Sequence, residues 1–354
     1  MTDPLRPPPD DRTPAELLSF GVVNLDKPAG PSAHQVAGWG RDLASDAIDD
    51  LAFDDTDNLA SDDAGGGDTA TDSPTVDRAA HAGTLDPKVT GCLPLLFGDA
   101  TRLAQVFLEG RKEYVAVLEL HGPQPADIES VLDRFEAPLY QKPPRKSAVS
   151  RRLRVREIHE LSLLDSTDRQ VLLRIECESG TYVRKLCHDL GLALGTGAHM
   201  GHLRRTATDP FDDTSLVDLH ELTDALTVAG EGDTDWLREV VQPAERALRH
   251  LPRVVIAPSA AREVATGAPV YAPGVIDGPD RADASDRVDA SDRVDAPDPD
   301  DAADRADTPD SEAVDDDPLV ACFTPNGSAV CLGTLVGAPE ADSGTVVDLE
   351  RVLI

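Results

Sequence analysis

Two acidic segments of this chain are not expected to contribute to a folded core. They divide the chain into the parts that are expected to fold. Residues 46–77 hold eleven Asp and no Lys or Arg, and residues 277–317 hold seventeen acidic residues against four Arg. Neither segment shows the apolar periodicity of a helix or a strand, and chains of this composition cannot bury enough apolar surface to order themselves. We therefore expect both to be disordered acidic insertions.

The acidity is largely confined to these insertions. They carry −24 of the formal net charge of −33, which leaves little excess charge on the folded remainder. The bias of Asp over Glu (48 to 18) and of Arg over Lys (27 to 6) suits a protein bathed in concentrated salt. Because concentrated salt screens charge interactions beyond a few ångströms, the overall acidity does not exclude a polyanionic ligand. The composition leads us to expect a cytoplasmic protein of a halophile.

Cysteine spacing and hydropathy exclude several other classes. The five cysteines show no C-x-x-C pairing and no histidine at zinc-ligand spacing, so neither a disulfide scaffold nor a metal site is expected. No run approaches eighteen apolar residues, and the N-terminus lacks the apolar region of a signal peptide. These patterns predict a protein without a membrane span.

Pattern and turn signals divide the chain into a leader and two domains. Residues 1–18 are Pro- and Asp-rich and are expected to be a disordered leader, followed by one domain over 19–250 and a second over 251–354. In the first domain, strands are predicted over 113–121 and 171–178 and helices over 34–43, 99–109 and 182–194. Strands and helices mix without a strict β-α-β repeat, which favours an α+β fold with a largely antiparallel sheet. Short β-rich pieces after residue 251 predict a small barrel.

Five motifs then occur in one order: NLDKPAGPS at 24–32, HAGTLDP at 81–87, KEY at 112–114, GTYVR at 180–184 and HMGHLRR at 199–205. This series resembles the TruB family of pseudouridine synthases, in the archaeal and eukaryotic branch that includes dyskerin. The resemblance covers residues 21–242, and the C-terminal part is similar to the PUA RNA-binding domain of that branch. At two places the sequence departs from the family pattern, each time by exchanging small residues. Ala82 stands where the family often has Gly, and Ser32-Ala33 stands where Thr-Ser is usual.

The resemblance implies a reaction in which a uracil is detached from its ribose, turned and rejoined through carbon. Breaking a glycosidic bond develops oxocarbenium character, which one nearby carboxylate can stabilise or capture. No external water, metal or cofactor is needed, because the base itself recombines. Read alone, the Asp86-Pro87 pair is most simply a plain turn. The resemblance makes Asp86 the catalytic carboxylate, as nucleophile or as base.

The same resemblance assigns the residues around Asp86. Arg184 would pair with the carboxylate in a closed pocket, and Tyr114 would stack on the target base and take part in proton transfer. Tyr182 and Leu203 match positions that line the uridine pocket, although core packing is an equally good interpretation for both. His81 would occupy the space left when the base is flipped out of the RNA. Lys27 is interpreted as structural, tying its motif to the active-site loop.

RNA contact has support that does not depend on the resemblance. Residues 141–156 hold seven cations and no acid in a strongly acidic protein, and a basic strip of this kind binds phosphates. The predicted RNA-binding residues are Lys142, Arg145, Lys146, Arg151, Arg152, Arg154 and Arg156, extended by Arg204 and Arg205.

The expected function is therefore an RNA pseudouridine synthase. By resemblance, its substrates would be a uridine in the TΨC arm of tRNA and, as catalytic subunit of a particle with an H/ACA guide RNA and small companion proteins, rRNA. The alternative is a non-catalytic RNA-binding scaffold of such a particle.

Overall fold

A computed structural model describes residues 4–57, 76–107, 110–143, 152–279 and 318–354, with side chains undescribed at 49–50 and 52–57. The chain forms two compact units. The larger unit is Asp10–His250, and the smaller one combines Met1–Pro9 with Leu251–Ile354. The division after residue 250 coincides with the domain boundary drawn from the sequence.

The larger unit is built around one ten-stranded sheet. Its strands are β1 (Gly21–Lys27), β2 (Ala79–His81), β3 (Thr90–Phe97), β4 (Lys112–Leu120), β5 (Pro138–Gln141), β6 (Arg154–Ser166), β7 (Gln170–Cys177), β8 (Ala198–Thr208), β9 (Phe211–Asp212) and β10 (Gln242–Pro243). The order is β10-β1-β3-β8-β4-β7-β6-β5, with β2 on β3 and β9 on β8. The pairing of β3 with β8 is parallel, and the other strand pairings of this sheet are antiparallel.

Helices accompany this sheet. They are α1 (Pro14–Ser19), α2 (Ala33–Asp57), α3 (Ile128–Asp133), α4 (Val183–Ala193), α5 (Leu219–Gly230) and α6 (Asp235–Val240). Short 3-10 helices span Pro9–Asp11, Gly98–Phe107, Asp213–Ser215 and Ala244–Leu248. The helix predicted over 99–109 is thus a 3-10 segment ending at Phe107, whereas the strands and the helix predicted at β4, β7 and α4 are present within one or two residues.

The smaller unit is a six-stranded sheet with one α-helix. It contains β11 (Arg253–Ile256), α7 (Pro258–Ala265), β12 (Val270–Tyr271), a 3-10 turn (Ala272–Gly274), β13 (Val275–Asp277), β14 (Leu319–Phe323), β15 (Ala329–Leu335) and β16 (Thr345–Val352). The strand order is β12-β16-β15-β14-β11-β13, antiparallel except for β11 with β14. Two largely antiparallel sheets with accompanying helices confirm the α+β class and fit a small PUA-type unit.

The prediction of a disordered leader over residues 1–18 is wrong for the described part of it. Thr13 and Glu16 form a reciprocal capping box, in which the Thr13 hydroxyl accepts from the Glu16 N–H at 3.2 Å and the Glu16 carboxylate accepts from the Thr13 N–H at 2.9 Å. The helix α1 that follows buries Leu17 and Leu18 in the core of the larger unit. The capping signature was present in the sequence, but the proline content of the segment obscured it.

The first acidic insertion also begins later than predicted. Helix α2 continues to Asp57 because Ala44, Ile48 and Leu51 form a buried stripe at helical spacing, so residues 46–57 are not loop. Residues 58–75 of that insertion, and 280–317 of the second one, lie outside the described residues.

Candidate active site

Asp86 lies in the loop that joins β2 to β3 in the large sheet. The hairpin closes with a bond from the Ala82 N–H to the Pro94 carbonyl at 2.9 Å, and Gly83 has a φ of +79°, a conformation that favours glycine. Leu85 is buried beneath the loop, and the Val89 N–H donates to the Asp86 carbonyl at 3.0 Å. The backbone thus turns around the carboxylate, and the preceding side chain anchors it.

Lys27 holds the C-terminal end of this loop. Its fully buried ammonium donates to three carbonyl oxygens, those of Pro28 at 2.9 Å, Pro87 at 3.2 Å and Val89 at 2.8 Å. Burial lowers the pKa of Lys27. These bonds tie the end of β1 to the residues that follow Asp86, which is the structural role predicted for Lys27.

Arg205 holds the N-terminal end of the loop. Its side chain is 1% exposed and donates from Nε to the Cys92 carbonyl at 2.7 Å and from Nη2 to the carbonyls of Ala82 at 3.0 Å and Gly83 at 3.3 Å. The prediction that Arg205 contacts RNA is therefore wrong, because a guanidinium enclosed by loop carbonyls cannot reach a phosphate. Two buried cations clamp the Asp86 loop, one at each end.

The Asp86 carboxylate pairs with Arg184. The partners are Oδ2 of Asp86 and Nη2 of Arg184, and the two side chains are 51% and 53% exposed. Arg184 is the second residue of α4, whose N-terminus is fixed by Gln141: its side-chain oxygen accepts from the Tyr182 N–H at 2.8 Å. The predicted pairing is present, but the expectation of a closed pocket is wrong for this chain by itself, because both partners face solvent.

Tyr114 lies on β4, next to the buried Arg205. Its ring is 9% exposed, and the register of β4 with β8 places it directly opposite Arg205. Burial raises the pKa of Tyr114, and the nearby Arg205 opposes that shift. The phenol is therefore held in its protonated form, and its oxygen accepts a hydrogen bond from the Arg205 guanidinium.

Three other predicted pocket residues lie on the elements that frame the loop. Tyr182 is half-buried before α4, and Leu203 is half-buried on β8 against the core, so neither position distinguishes a pocket role from packing. His81 ends β2, and its Nδ1 is buried without a hydrogen-bond partner among the described residues. Burial, with Arg205 and His34 nearby, lowers the pKa of His81, so its imidazole is held neutral beside the loop.

The predicted basic strip is only partly available to a ligand. Lys142 and Arg152 are exposed and Arg154 is half-exposed, whereas Arg145, Lys146 and Arg151 lie outside the described residues. Arg156 is committed to Glu178 at 2.6 Å, and Arg204 forms a two-bond pair with Asp26 at 2.9 and 3.0 Å. An incoming phosphate would have to displace these carboxylates.

One buried cation was not singled out from the sequence. Lys112 is 3% exposed and donates to the carbonyls of Phe107 at 2.9 Å and Gly110 at 2.8 Å. Burial lowers its pKa to about 8, with a further decrease from Arg205 and an opposing effect of Asp209. In the sequence, only the KEY motif drew attention to Lys112. Its burial is not expected from the residue type, because lysine is ordinarily a surface residue.

No group of three or more metal-ligating side chains occurs within the described ranges. Among the helices of that same part of the chain, none is long and apolar enough to cross a membrane.

Three family definitions match the chain. The DKCLD domain matches residues 7–37, the N-terminal domain of TruB family pseudouridylate synthases matches 73–127, and the tRNA pseudouridylate synthase B C-terminal domain matches 184–249. The second contains Asp86 and Tyr114, and the third contains Arg184 and Arg205.

Curated relatives extend over nearly the whole chain. A probable tRNA pseudouridine synthase B of Halobacterium salinarum is 54% identical over 99% of both chains, and one of Haloarcula marismortui is 55% identical over 99% of this chain and 94% of its own. A solved structure of a Cbf5-Nop10-Gar1 complex has a chain 34% identical, with a TM-score of 0.76 over 100% of this chain and 91% of that one. A structure of an H/ACA RNP bound to a substrate RNA containing 2'-deoxyuridine has a chain that is 32% identical, with a TM-score of 0.75 over 100% of this chain and 92% of that one.

The family matches and the relatives define an enzyme that isomerises uridine in RNA, and the structure brings Asp86 and Arg184 together at a loop clamped at both ends. The chain belongs to the TruB family of pseudouridine synthases, and its similarity to Halobacterium and Haloarcula proteins fits the halophilic composition.

Proposed function

We propose that this pseudouridine synthase converts a uridine in the TΨC arm of tRNA, and a uridine in rRNA when it acts as catalytic subunit of an H/ACA guide-RNA particle. The observation that carries the proposal is the Asp86–Arg184 pair on a loop clamped at both ends. The names of the relatives support the tRNA substrate, and the titles of the similar structures support the guide-RNA particle.

The geometry accounts for the chemistry in terms of this chain's own residues. The guanidinium of Arg184 and the surrounding water both favour the Asp86 anion, which is the form able to stabilise or capture the ribose cation as the bond to nitrogen breaks. We assign to Tyr114, whose pKa is raised by burial, a proton transfer while the base rejoins through carbon.

RNA itself would complete the site. Asp86 and Arg184 are about half exposed in the isolated chain, so a flipped nucleotide and the strand carrying it would exclude water from the pair. Because excluding water strengthens electrostatic interactions, the Asp86 anion would stabilise the ribose cation most strongly when substrate is bound. The exposed Lys142 and Arg152 would bind phosphates of that substrate. We further propose a cytoplasmic location and small companion proteins as partners.

The test compares Asp86→Asn with Asp99→Asn. Asp99 also pairs with an arginine, Arg78 at 2.6 Å, but lies outside the site. On an unmodified tRNA transcript, with and without guide RNA, we expect Asp86→Asn to retain RNA affinity and to form no pseudouridine by carbodiimide mapping. Asp99→Asn should match wild type. Appreciable turnover by Asp86→Asn would refute the catalytic role.

The alternative is a non-catalytic scaffold that organises RNA through its C-terminal unit and basic strip. The joint presence of Asp86, Arg184 and Tyr114 around one clamped loop argues against it, because a scaffold has no use for the set. Wild-type protein that binds RNA but makes no product with or without guide RNA would favour the scaffold.

A further inference from the structure

A surface groove lies between helix α2 and strand β2. It has a volume of about 280 Å³, close to the lower limit of ordinary small-molecule sites. Its walls include His34, Gly38, Trp39 and Arg41 of α2 and Ala79 of β2. Most of its α2 side chains are exposed, whereas Ala37, at its inner wall, belongs to the buried stripe of Ala44 and Ile48.

Gly38 has no explanation in the packing of the described chain. Glycine inside a helix is destabilising relative to alanine, and Gly38 is the sixth residue of α2. Apart from its own helix backbone and chain neighbours, no described atom lies within 4 Å of the place where a Cβ would stand. The nearby Gly40 is different, because a Cβ there would lie 2.9 Å from Leu95 Cδ1. The described packing therefore does not explain Gly38, and the helix backbone at this position is open to close approach by a ligand.

Trp39 supplies an open aromatic surface next to this bare helix backbone. Its side chain is 47% exposed, which is unusual for the largest apolar residue. The charges of the groove nearly cancel, because Arg41 is bonded to Asp42 at 3.0 Å and both are exposed. A ligand would therefore gain mainly from stacking on the indole, and stacking suits a nucleobase.

The groove approaches the start of the catalytic loop, because His34 in its wall is close enough to His81 to lower the pKa of that imidazole. Ala79 and His81 are two residues apart on β2 and so face the same side, about 7 Å from each other along the strand. The turn before α2 is bonded to the loop directly, through the Gly30 N–H and the Pro87 carbonyl at 2.8 Å. A strand whose uridine is at Asp86 would pass His81 and reach this groove.

We propose that the α2–β2 groove is a subsite for an unpaired base of the substrate RNA close to the target uridine, with the base stacked on Trp39 and its backbone lying against Gly38. The proposal rests on the function proposed above. It adds a neutral, aromatic contact to a protein whose ionic contacts are weakened by salt. Stacking releases few counterions, so its contribution persists at high ionic strength.

Fluorescence offers a direct test because the chain has only two tryptophans. Trp236→Phe leaves Trp39 as the sole indole, and Trp39→Phe leaves Trp236, which is 37% exposed on α6 and serves as the matched control. The probe is a stem-loop RNA that wild type converts. We expect it to quench Trp39 emission and protect Trp39 from acrylamide, with Trp236 unaffected. Equal responses, or none from Trp39, would overturn the proposal.

Affinity provides the second measurement. Trp39→Ala should weaken binding of the same RNA about tenfold, toward the lower end of the range for stacked bases, and Trp39→Phe should restore most of it. Trp236→Ala should bind as wild type. The tenfold ratio should be the same at moderate and high KCl, whereas a loss confined to low salt would indicate an ionic contact and contradict stacking.

Gly38→Ala tests the close approach of the RNA backbone. Alanine should stabilise α2 yet weaken RNA binding several-fold by filling the floor of the groove. Gly230→Ala, at a helical glycine of α5 that likewise has open space at its Cβ position, should leave affinity unchanged. If wild type forms no pseudouridine in any RNA, the proposed function fails. If wild type forms pseudouridine but the Trp39 and Gly38 variants bind RNA as their controls do, only the proposed base subsite in the groove is refuted.

Discussion

Replacing Arg205 by methionine distinguishes a clamp on the Asp86 loop from an RNA contact. The side chain is 1% exposed and makes two short bonds to carbonyl oxygens, that of Cys92 on β3 at 2.7 Å and that of Ala82 in the loop at 3.0 Å. Bonds from a charged donor contribute roughly 1.5–3 kcal/mol each, and relief of the cost of burying the cation offsets part of that. We expect a net loss of about 3 kcal/mol in the free energy of unfolding.

For a unit of this size, a loss of about 3 kcal/mol corresponds to a Tm lower by about 6–12 °C. Turnover should fall on the order of a hundredfold, because a loop displaced by about 1 Å misplaces the carboxylate. Thermal unfolding, RNA titration and pseudouridine formation in one high-salt buffer measure these effects. Arg204→Met is the matched control: its exposed pair with Asp26 contributes about 0–1 kcal/mol.

An RNA contact at Arg205 gives the opposite pattern. Its loss would leave Tm unchanged and would reduce the slope of log affinity against log salt by about 1. A variant with wild-type Tm and a flatter salt dependence would refute the clamp.

Three further outcomes are expected. Arg184→Met removes the partner of Asp86 and should lower turnover about a hundredfold without lowering Tm, since the pair is half exposed; unchanged turnover would exclude a role for the pair. Tyr114→Phe keeps the buried ring but loses the proton, so kcat should fall about a hundredfold with KM unchanged; full activity would leave Tyr114 a packing residue. Burial lowers the pKa of Lys112 to about 8 against 10.5 for the unfolded chain, so between these values the unfolded state binds more protons and stability rises with pH. Denaturant unfolding of wild type should thus gain up to about 3 kcal/mol over that range relative to Lys112→Met, and parallel pH profiles would contradict the shift.

Local patterns predicted the elements whose signals lie within a few residues. The alternation of apolar residues in β4 and β7 and the glycine-bounded helix α4 were visible in the sequence, because one face of each packs against the core. Helix α1 was missed although its capping box was legible, and the length of α2 was missed because Ile48 and Leu51 stand among aspartates.

The motifs were sufficient to indicate the family, the reaction and the pairing of Asp86 with Arg184. They could not assign the adjacent Arg204 and Arg205, which point to opposite faces of β8. Which face is buried depends on β3 pairing in parallel beside that strand, and β3 lies more than a hundred residues earlier. Tertiary structure alone thus made one arginine a surface ion pair and the other a buried clamp. It also left Asp86 half exposed, a property that no local motif encodes, because exposure depends on segments distant in the chain.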